Sequence, residues 1–266
     1  MNLQAMPMIL LAAVLPRVDW SETSVASNSA ASLVLGLVLT SVAATAAAGP
    51  AVLELYTSEG CSSCPPAEKL IEDLARRSDV LPLAFHVDYW DSLGWRDRFA
   101  LPESTARQEQ AARTLRLSTV GTPQMIVNGR TVIWGAAPSA VEQALASAKS
   151  GPEIQVDRLG DVLTLRTQRS ASSEALELYV IGYLPHAVTA IGRGENAGRT
   201  LTEVNIVRSV QRIGRSDSGG AWHVSLNGLP RDASCVAALL QEPNGAIVAA
   251  KPIARSTKSC AAAAAP

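Results

Sequence analysis

The sequence predicts an α/β domain followed by a small antiparallel β domain. Strand-like apolar runs alternate with helical runs from residue 50 to residue 150. The pattern changes at Ser150-Gly151-Pro152, after which alternating apolar and polar segments are separated by turn residues. We therefore assign residues 50–150 to the α/β domain and residues 151–256 to a sandwich-like antiparallel β domain.

The first strand of the α/β domain is predicted from branched and aromatic residues, and the helix after it from Leu70, Ile71 and Leu74 on one face. Asn128-Gly129 is the preferred pair for a tight two-residue turn between antiparallel strands, so it predicts a hairpin. The predicted elements are strands at Ala51–Tyr56 and Val80–Val87, helices at Ala67–Arg77, Pro102–Leu115 and Pro138–Lys149, and hairpin strands at Thr122–Val127 and Thr131–Trp134. In the second domain the predicted strands are 153–159, 161–168, 174–183, 201–213, 221–226, 233–240 and 246–254.

Residues 1–49 are predicted to be an N-terminal extension with an export signal. Residues 31–48 form an uncharged apolar run ending in Ala46-Ala47-Ala48, the pattern of a secretory signal with a small-residue cleavage site. An uncleaved membrane anchor is the alternative, but the core Leu33–Val42 is shorter than the ~20 apolar residues of a bilayer span. We therefore expect a periplasmic or secreted protein, with a disordered low-complexity tail at 257–266.

The composition narrows the classes of partner. The chain has 266 residues and a formal net charge of −1, with charges of both signs mixed throughout. The sequence shows no basic patch or stripe, so nucleic acid is not an expected partner. Cysteines in an exported chain can persist as disulfides. Cys235 and Cys260 are able to bridge each other as a structural disulfide.

Cys61 and Cys64 are predicted to be a thiol–disulfide reaction centre. They lie between the first strand and the first helix, where unpaired N–H groups and the helix dipole favour a thiolate at Cys61. Cys64, one turn further on, is placed to attack a mixed disulfide on Cys61 and to close the ring. Pro65 and Pro66 fit the first helical turn because an N–H is not needed there.

Two other interpretations of this cysteine pair stay open. It could be half of a zinc site, although the sequence contains no second Cys-x-x-Cys motif. It could also be an inert disulfide, although such a small ring is normally reducible. A redox centre needs no further residues, so under this hypothesis we expect no cofactor and no resident metal.

The Cys-x-x-Cys motif at a helix start, together with the βαβα–ββα order, predicts a thioredoxin-like fold. In that fold a cis-proline loop faces the cysteines, and Val120-Gly121-Thr122-Pro123 resembles it. A cis bond before Pro123 exposes the backbone of Thr122, so that an extended substrate can pair with it. A trans proline opening a strand is the alternative. Leu55 stands where thioredoxins carry a buried acid, and Glu54 is on the opposite strand face, so an identical proton relay is not expected.

In the aromatic and polar segment Asp88–Phe99, five residues are predicted to rim the active-site groove with an amphipathic surface: Asp88, Tyr89, Trp90, Asp91 and Trp95. The alternative is that its tryptophans only cap the core. The candidate substrate-binding residues are Thr122, Gln124, Trp90 and Trp95, and the candidate catalytic residues are Cys61, Cys64 and Pro123.

Four further residues are expected to support the site: Glu59, His86, Asp88 and Arg107. Glu59 is interpreted as a solvated loop acid whose charge would oppose a thiolate on Cys61. His86 is interpreted as a structural histidine, with a metal ligand beside the cysteines as the alternative. Arg107 is expected to hydrogen-bond Asp88 or Asp91, either as a structural pair or beside a substrate.

Several motifs together resemble one family, an uncharacterised bacterial family of exported thioredoxin-fold proteins known only as a domain of unknown function. The motifs are Glu54-Leu-Tyr-Thr-Ser-Glu-Gly-Cys-Ser-Ser-Cys-Pro-Pro-Ala67, His86-Val-Asp-Tyr-Trp-Asp91, Leu93-Gly-Trp95, Arg107-Gln108, Thr122-Pro-Gln-Met125, Gly194-Glu-Asn196 and Gly198-Arg-Thr-Leu201. The resemblance implies the fold and export, and it carries no established substrate. The family usually has an aromatic residue just before the Thr-Pro pair, where this chain has Gly121.

The sequence therefore predicts a periplasmic or secreted thiol–disulfide oxidoreductase that acts through Cys61 and Cys64. Its expected partners are thiols or disulfides of proteins or small molecules. A further hypothesis is that the β domain docks on a redox partner in the membrane. The alternative function is a thioredoxin-fold module that binds a metal or a peptide without redox turnover.

Overall fold

The structure is a computed structural model that describes residues 49–148, 151–167, 176–215, 221–255 and 260. The predicted export signal and tail lie outside these ranges, apart from Gly49 and Cys260. Within the ranges the elements in chain order are β1 Ala51–Thr57, α1 Pro65–Leu74, β2 Val80–His86, α2 Pro102–Leu115, β3 Gln124–Val127, β4 Thr131–Trp134, α3 Pro138–Ala146, β5 Ile154–Leu159, β6 Val162–Thr167, β7 Glu177–Ala190, β8 Thr200–Arg215, β9 Trp222–Ser225, β10 Cys235–Gln241 and β11 Ile247–Ala254.

The described strands form one large mixed sheet and one small sheet. The large sheet has eight strands in the order β11-β10-β7-β8-β2-β1-β3-β4, and the small one has the order β5-β6-β9. In the large sheet β1 and β2 are parallel, β2 and β8 are parallel, and the other neighbours are antiparallel. The sequence predicts a separate β domain after residue 150, but β7, β8, β10 and β11 continue the sheet of the first half.

The two halves of the chain meet where β2 lies beside β8. The register pairs Ala84 with Ile206. Next to this pair, the Asn205 side chain donates from Nδ2 to the Pro82 carbonyl at 2.9 Å. Proline has no N–H to offer to a neighbouring strand. Pro82 therefore joins this junction only as an acceptor, and the Asn205 side chain supplies the donor for its carbonyl.

Helices cover both faces of β1, which explains why the strand is buried continuously from Val52 to Thr57 rather than at alternate residues. On one face Leu53 and Leu55 pack with residues of α1 and α3, including Ile71. On the other face Val52 and Tyr56 belong to a cluster against which α2 packs. Among the described residues, no helix has the length and hydropathy that crossing a bilayer requires.

The small sheet packs on β7 and β10 of the large sheet. Leu163, Leu165 and Trp222 from the small sheet share a buried cluster with Val180 and Val236. This face-to-face arrangement of two sheets is the sandwich-like packing that the second half of the sequence predicts. Its larger layer, however, is shared with β1–β4.

The predicted hairpin is present with one difference in its loop. Asn128 and Gly129 both have positive φ, 48° and 63°, as this class of turn requires. Val127 pairs with Thr131, so the loop also includes Arg130. The Arg130 N–H donates to the Val127 carbonyl at 3.0 Å, which closes the turn one residue before the strands pair again.

Candidate functional site

Cys61 and Cys64 form a disulfide in the turn between β1 and α1. The Cα atoms are 5.4 Å apart, and both residues are completely buried. The Cys61 N–H donates to the Ser58 carbonyl, and the Cys64 N–H donates to the Cys61 carbonyl, so the two cysteines sit in consecutive turns. Cys64 is the residue that caps α1, and prolines occupy the first helical positions.

The predicted proline loop lies at the same edge of the sheet as the disulfide. The Thr122–Pro123 peptide bond is cis, as the sequence predicts. β3 starts directly after Pro123, runs antiparallel to β1, and pairs its first residue with Tyr56 near the end of β1. The end of β1 and the start of β3 are therefore adjacent, which brings the turn containing Cys61 and the proline loop together.

Trp90 connects these two loops. Its Nε1 donates to Thr122 Oγ1 at 2.8 Å. Its side chain also packs on the turn before Cys61, because a Cβ placed on Gly60 would lie 3.4 Å from the Trp90 Cβ. Trp90 is half-buried, so part of the ring remains at the surface beside the proline loop.

The chain buries a cluster of ionisable side chains, which we call the acid cluster: Glu59, Glu68, Asp97, Glu203 and His86. His86 Nδ1 donates to Asp97 Oδ2 at 2.7 Å, and the Glu59 N–H donates to the same oxygen at 2.9 Å. His86 Nε2 lies 3.7 Å from Glu203 Oε1. Four carboxyl groups and one imidazole would give a net charge of −3 if all were ionised, which is costly in a buried site. The cluster therefore keeps protons at neutral pH.

The pKa values indicate where those protons reside. Burial raises the pKa of Glu203 to about 8, although His86 opposes the effect. Burial also raises the pKa of Glu59 and of Glu68. Burial alone would lower the pKa of His86, but Asp97, together with Glu203 and Glu68, outweighs it and raises the pKa to about 10. Burial likewise opposes the charge of Asp97, yet His86 and two backbone N–H groups keep its pKa lowered. At neutral pH His86 and Asp97 therefore form an ion pair, and Glu203 is protonated.

Two of the acid-cluster residues lie directly beside the cysteines in sequence. Glu59 precedes Cys61 by two residues, and it accepts a hydrogen bond from Trp95 Nε1 at 2.7 Å on Oε2. Glu68 lies on α1 four residues after Cys64, and side chains at this spacing are neighbours on a helix. Its Oε1 accepts from Thr57 Oγ1 at 2.7 Å. The prediction of Glu59 as a solvated acid is wrong, because the turn folds its side chain inward under Trp95.

The connection between β7 and β8 reaches across to the cysteine turn. Asn196, almost completely buried, donates from Nδ2 to the carbonyls of Glu59 and Cys61, both at 2.9 Å. The exposed Glu195 accepts on Oε2 from the Ser62 N–H at 3.2 Å and from Ser62 Oγ at 2.6 Å. The second half of the chain thus contributes side chains to the site.

Three predicted site residues have roles other than those expected. Gln124 is completely buried, and its Oε1 accepts from Gln108 Nε2 at 2.9 Å, so it supports the loop from inside. Asp88 Oδ1 accepts from Thr105 Oγ1 at 2.6 Å. Arg107, expected to bond Asp88 or Asp91, instead donates from Nε to Glu54 at 2.5 Å. Successive residues of a helix point about 100° apart, so Thr105 and Arg107 lie on different faces of α2. Arg107 therefore faces β1, and Thr105 is the residue that contacts Asp88.

Sequence reasoning did not identify Glu68, Asp97 or Glu203. Glu68 could have been found, because it stands three residues before Ile71 on the apolar face of α1. Glu203 belongs to a long strand in the second half of the chain and reaches the site only through the sheet contact with β2. In the part of the chain that the structure describes, no group of three or more His, Cys, Asp or Glu side chains is arranged to hold a metal ion.

The second pair of cysteines forms the disulfide that the sequence allows. Cys235, at the start of β10, is bonded to Cys260, with the Cα atoms 5.7 Å apart. Cys235 is buried in the core of the large sheet, and Cys260 packs against it. This bond holds Cys260 against the sheet, and its position is typical of a structural disulfide.

The fold and the site define a mixed α/β protein with a buried Cys-x-x-Cys disulfide at a strand-to-helix turn. A family model described as "Protein of unknown function (DUF1223)" matches residues 52–241, and the chain belongs to that family. The crystal structure of a protein from Agrobacterium tumefaciens is similar, with 28% sequence identity and a TM-score of 0.67, over 80% of this chain and 97% of that one. A search of curated proteins returned no match.

Proposed function

We propose that this protein is an exported thiol–disulfide oxidoreductase, in which residues 50–150 form a thioredoxin-like domain and Cys61–Cys64 is the redox pair. One observation carries the proposal. The disulfide lies at the start of α1, and the Thr122–Pro123 loop stands at the same edge of the sheet. This arrangement supports thiol–disulfide exchange with a substrate chain that pairs with the backbone of the proline loop.

The proposed reaction exchanges two electrons and two protons. A substrate thiolate attacks Cys61 Sγ, and the Cys61–Cys64 bond breaks, leaving a mixed disulfide on Cys61 and a thiolate on Cys64. A second substrate thiolate then displaces Cys61. The substrate dithiol becomes a disulfide, and the cysteine pair becomes a dithiol. In the reverse direction Cys61 attacks a substrate disulfide and Cys64 resolves the intermediate.

The acid cluster is the proposed source of the proton for Cys64. Cys64 is completely buried, so water does not reach the leaving thiolate directly in this state. Glu68 stands one helical turn away, and burial raises its pKa, which favours the protonated carboxyl. A carboxyl with a raised pKa, one helical turn from Cys64, is proposed to supply this proton and to take it back in the reverse reaction.

Substrates are proposed to be thiols or disulfides of proteins or small molecules that lie against Thr122, with Trp90 and Trp95 beside them. Export is supported by the two disulfides, which persist in oxidising compartments. The predicted signal at residues 31–48 agrees with that location. A redox partner in the membrane is proposed to restore the starting state of the pair.

Trapping of mixed disulfides tests this function. In a Cys64→Ser variant, Cys61 can still attack a substrate disulfide, but the product is not resolved. We expect covalent adducts from periplasmic extract that disappear on reduction, with Cys61→Ser as the matched control. Exchange of the wild-type pair with glutathione should also be measurable. A Cys64→Ser protein with no more adducts than the control, together with a wild-type pair that does not exchange with glutathione, would contradict the proposal.

Elemental analysis separates the alternative of a metal-binding module. The protein is purified without chelator and its metal content is measured before and after the Cys61→Ser substitution. Stoichiometric copper or zinc that is lost in Cys61→Ser would support metal binding instead. A metal-free protein whose Cys61–Cys64 bond is reduced by dithiothreitol would support redox chemistry.

A further inference from the structure

We propose that the segment Gly194–Asn196, which we call the clasp, holds the Cys61–Cys64 disulfide in a closed state, and that its release admits the substrate. The inference concerns the regulation of the same site and rests on the proposed function. It gives a role to the second half of the chain, because the clasp belongs to the connection between β7 and β8.

The disulfide needs such a release because neither cysteine is accessible. Both residues are completely buried, whereas Ser62 and Ser63 between them are exposed. Thiol–disulfide exchange requires a thiolate to reach one of the two sulfur atoms. The closed state therefore resists exchange even though the turn itself is at the surface.

Asn196 is the inner anchor of the clasp. Its two hydrogen bonds, to the carbonyls of Glu59 and Cys61, hold the backbone on both sides of Gly60. The amide is itself oriented by Arg199, whose guanidinium donates to Asn196 Oδ1 at 3.1 Å. This anchor fixes the position of the cysteine turn rather than any group of the proposed reaction.

Glu195 is the outer anchor, and it is the part that solvent and a substrate can reach. Its exposed carboxylate accepts from the N–H and the hydroxyl of Ser62. These bonds lower its pKa, so it is charged at neutral pH. The Ser62 N–H is the amide next to Cys61, and a thiolate on Cys61 gains from such donors. Glu195 therefore both closes the turn and opposes negative charge on Cys61.

The shape of the contact shows a close fit between the clasp and the segment around Trp95. Gly194 has φ +78°, and a Cβ there would lie 3.1 Å from the Trp95 Cβ. Gly94 faces it, with φ +104° and its own Cβ position 3.5 Å from the Gly194 Cα. Residues without side chains on both sides let the two segments approach and cover the turn.

The test measures how fast dithiothreitol reduces the Cys61–Cys64 bond in the full chain. Dithiothreitol gives up two electrons and two protons and becomes a cyclic disulfide, and the cysteines become two thiols. Freed thiols are alkylated at intervals and located by peptide mass spectrometry. The Cys235–Cys260 bond in the same digest is an internal control, and Glu153→Ala, another exposed acid, is the matched control variant.

We expect Glu195→Ala to raise the rate of reduction about tenfold, because it removes charge-assisted hydrogen bonds. The rate for Glu195→Gln should lie between those of wild type and Glu195→Ala. The Cys235–Cys260 bond and the Glu153→Ala variant should behave like wild type. Ser62→Ala removes one bond from the other side, so its effect and that of Glu195→Ala should be non-additive in the double variant. The pKa of the Cys61 thiol, followed by thiolate absorbance, should fall in Glu195→Ala.

Two results would overturn the proposal, and they are distinguishable from each other. If wild type and Glu195→Ala are reduced equally fast, the clasp does not control access, and the proposed function stands. If the bond resists reduction in both folded proteins but not in urea, the disulfide is structural, and the proposed function fails with the clasp. Unfolding temperatures of all variants show that each is folded at the temperature of the assay.

Discussion

Replacing Glu203 by glutamine tests whether the acid cluster holds a proton in the folded protein. Glutamine keeps the volume of the side chain, and its amide oxygen can accept from the N–H at His86 Nε2, which lies 3.7 Å from Glu203 Oε1. Its amide N–H can then donate to Thr189 Oγ1, a hydroxyl that lies 3.4 Å from Glu203 Oε2. The substitution therefore removes the titration of residue 203 with little change in packing.

The magnitude follows from the pKa of Glu203, which burial raises from 4.5 to about 8. Between these two pH values the unfolded chain loses the proton while the folded chain keeps it. The free energy of unfolding then falls as pH rises, by about 1.4 kcal/mol for each pH unit. His86 acts in the same direction at higher pH, because its pKa is raised from 6.5 to about 10. Wild type should thus lose stability steadily from pH 5 to pH 10.

Glu203→Gln should lose less stability than wild type over the first part of this range. From pH 5 to pH 8 the difference in free energy of unfolding should shift by about 3 kcal/mol in favour of the variant. Urea denaturation at several pH values, followed by Trp fluorescence, measures this difference, and comparing two pH values cancels any constant packing effect. Glu109→Gln, an exposed acid on α2, is the control. Parallel stability curves for wild type and Glu203→Gln would refute the reasoning.

Two further predictions concern the parts of the fold that support the site. Replacing Cys235 and Cys260 by serine should lower the free energy of unfolding by roughly 3.5 kcal/mol, from the chain entropy of a 25-residue separation. Denaturation with the Cys61–Cys64 bond kept oxidised measures this, and an unchanged midpoint would count against a structural role. Trp90→Phe should lower the free energy of unfolding by about 1 kcal/mol, because Thr122 Oγ1 loses its hydrogen-bond donor. A Thr122→Val background should abolish that cost, and an undiminished cost there would show that the hydrogen bond is not its source.

Local chemistry made several features predictable. The Asn128-Gly129 turn needs two residues that tolerate positive φ, and both do so in the structure. Cys61 and Cys64 are placed by the end of an apolar strand and by prolines that begin a helix, signals that all fall within about a dozen residues. The Cys235–Cys260 bond followed from the count of cysteines in a chain expected to be exported.

The contacts of polar side chains were less predictable. Arg107 was expected to meet Asp88, but helix rotation brings it to Glu54. Glu59 reads as a loop acid, and only the position of Trp95 shows that it is buried. A pattern in the sequence predicts whether a side chain lies on one face of an element or in a turn. It does not predict which side chain will be its hydrogen-bond partner.

The sequence by itself determined the cysteine turn, the proline loop, the order of the strands along the chain and the family resemblance. The tertiary structure alone decided that β8 would join β2, which carries Glu203 to His86 and makes one sheet of both halves. It also decided that Asn196 would hold the turn of Cys61, a contact that spans 135 residues of chain. Hydrophobic periodicity and turn residues are local signals, each confined to one helix, strand or turn. The pairing of β8 with β2 and the contact of Asn196 depend instead on the order of all the strands in the sheet. For that reason the pairing of Cys61 with Cys64 was visible in the sequence, and the burial of their disulfide was not.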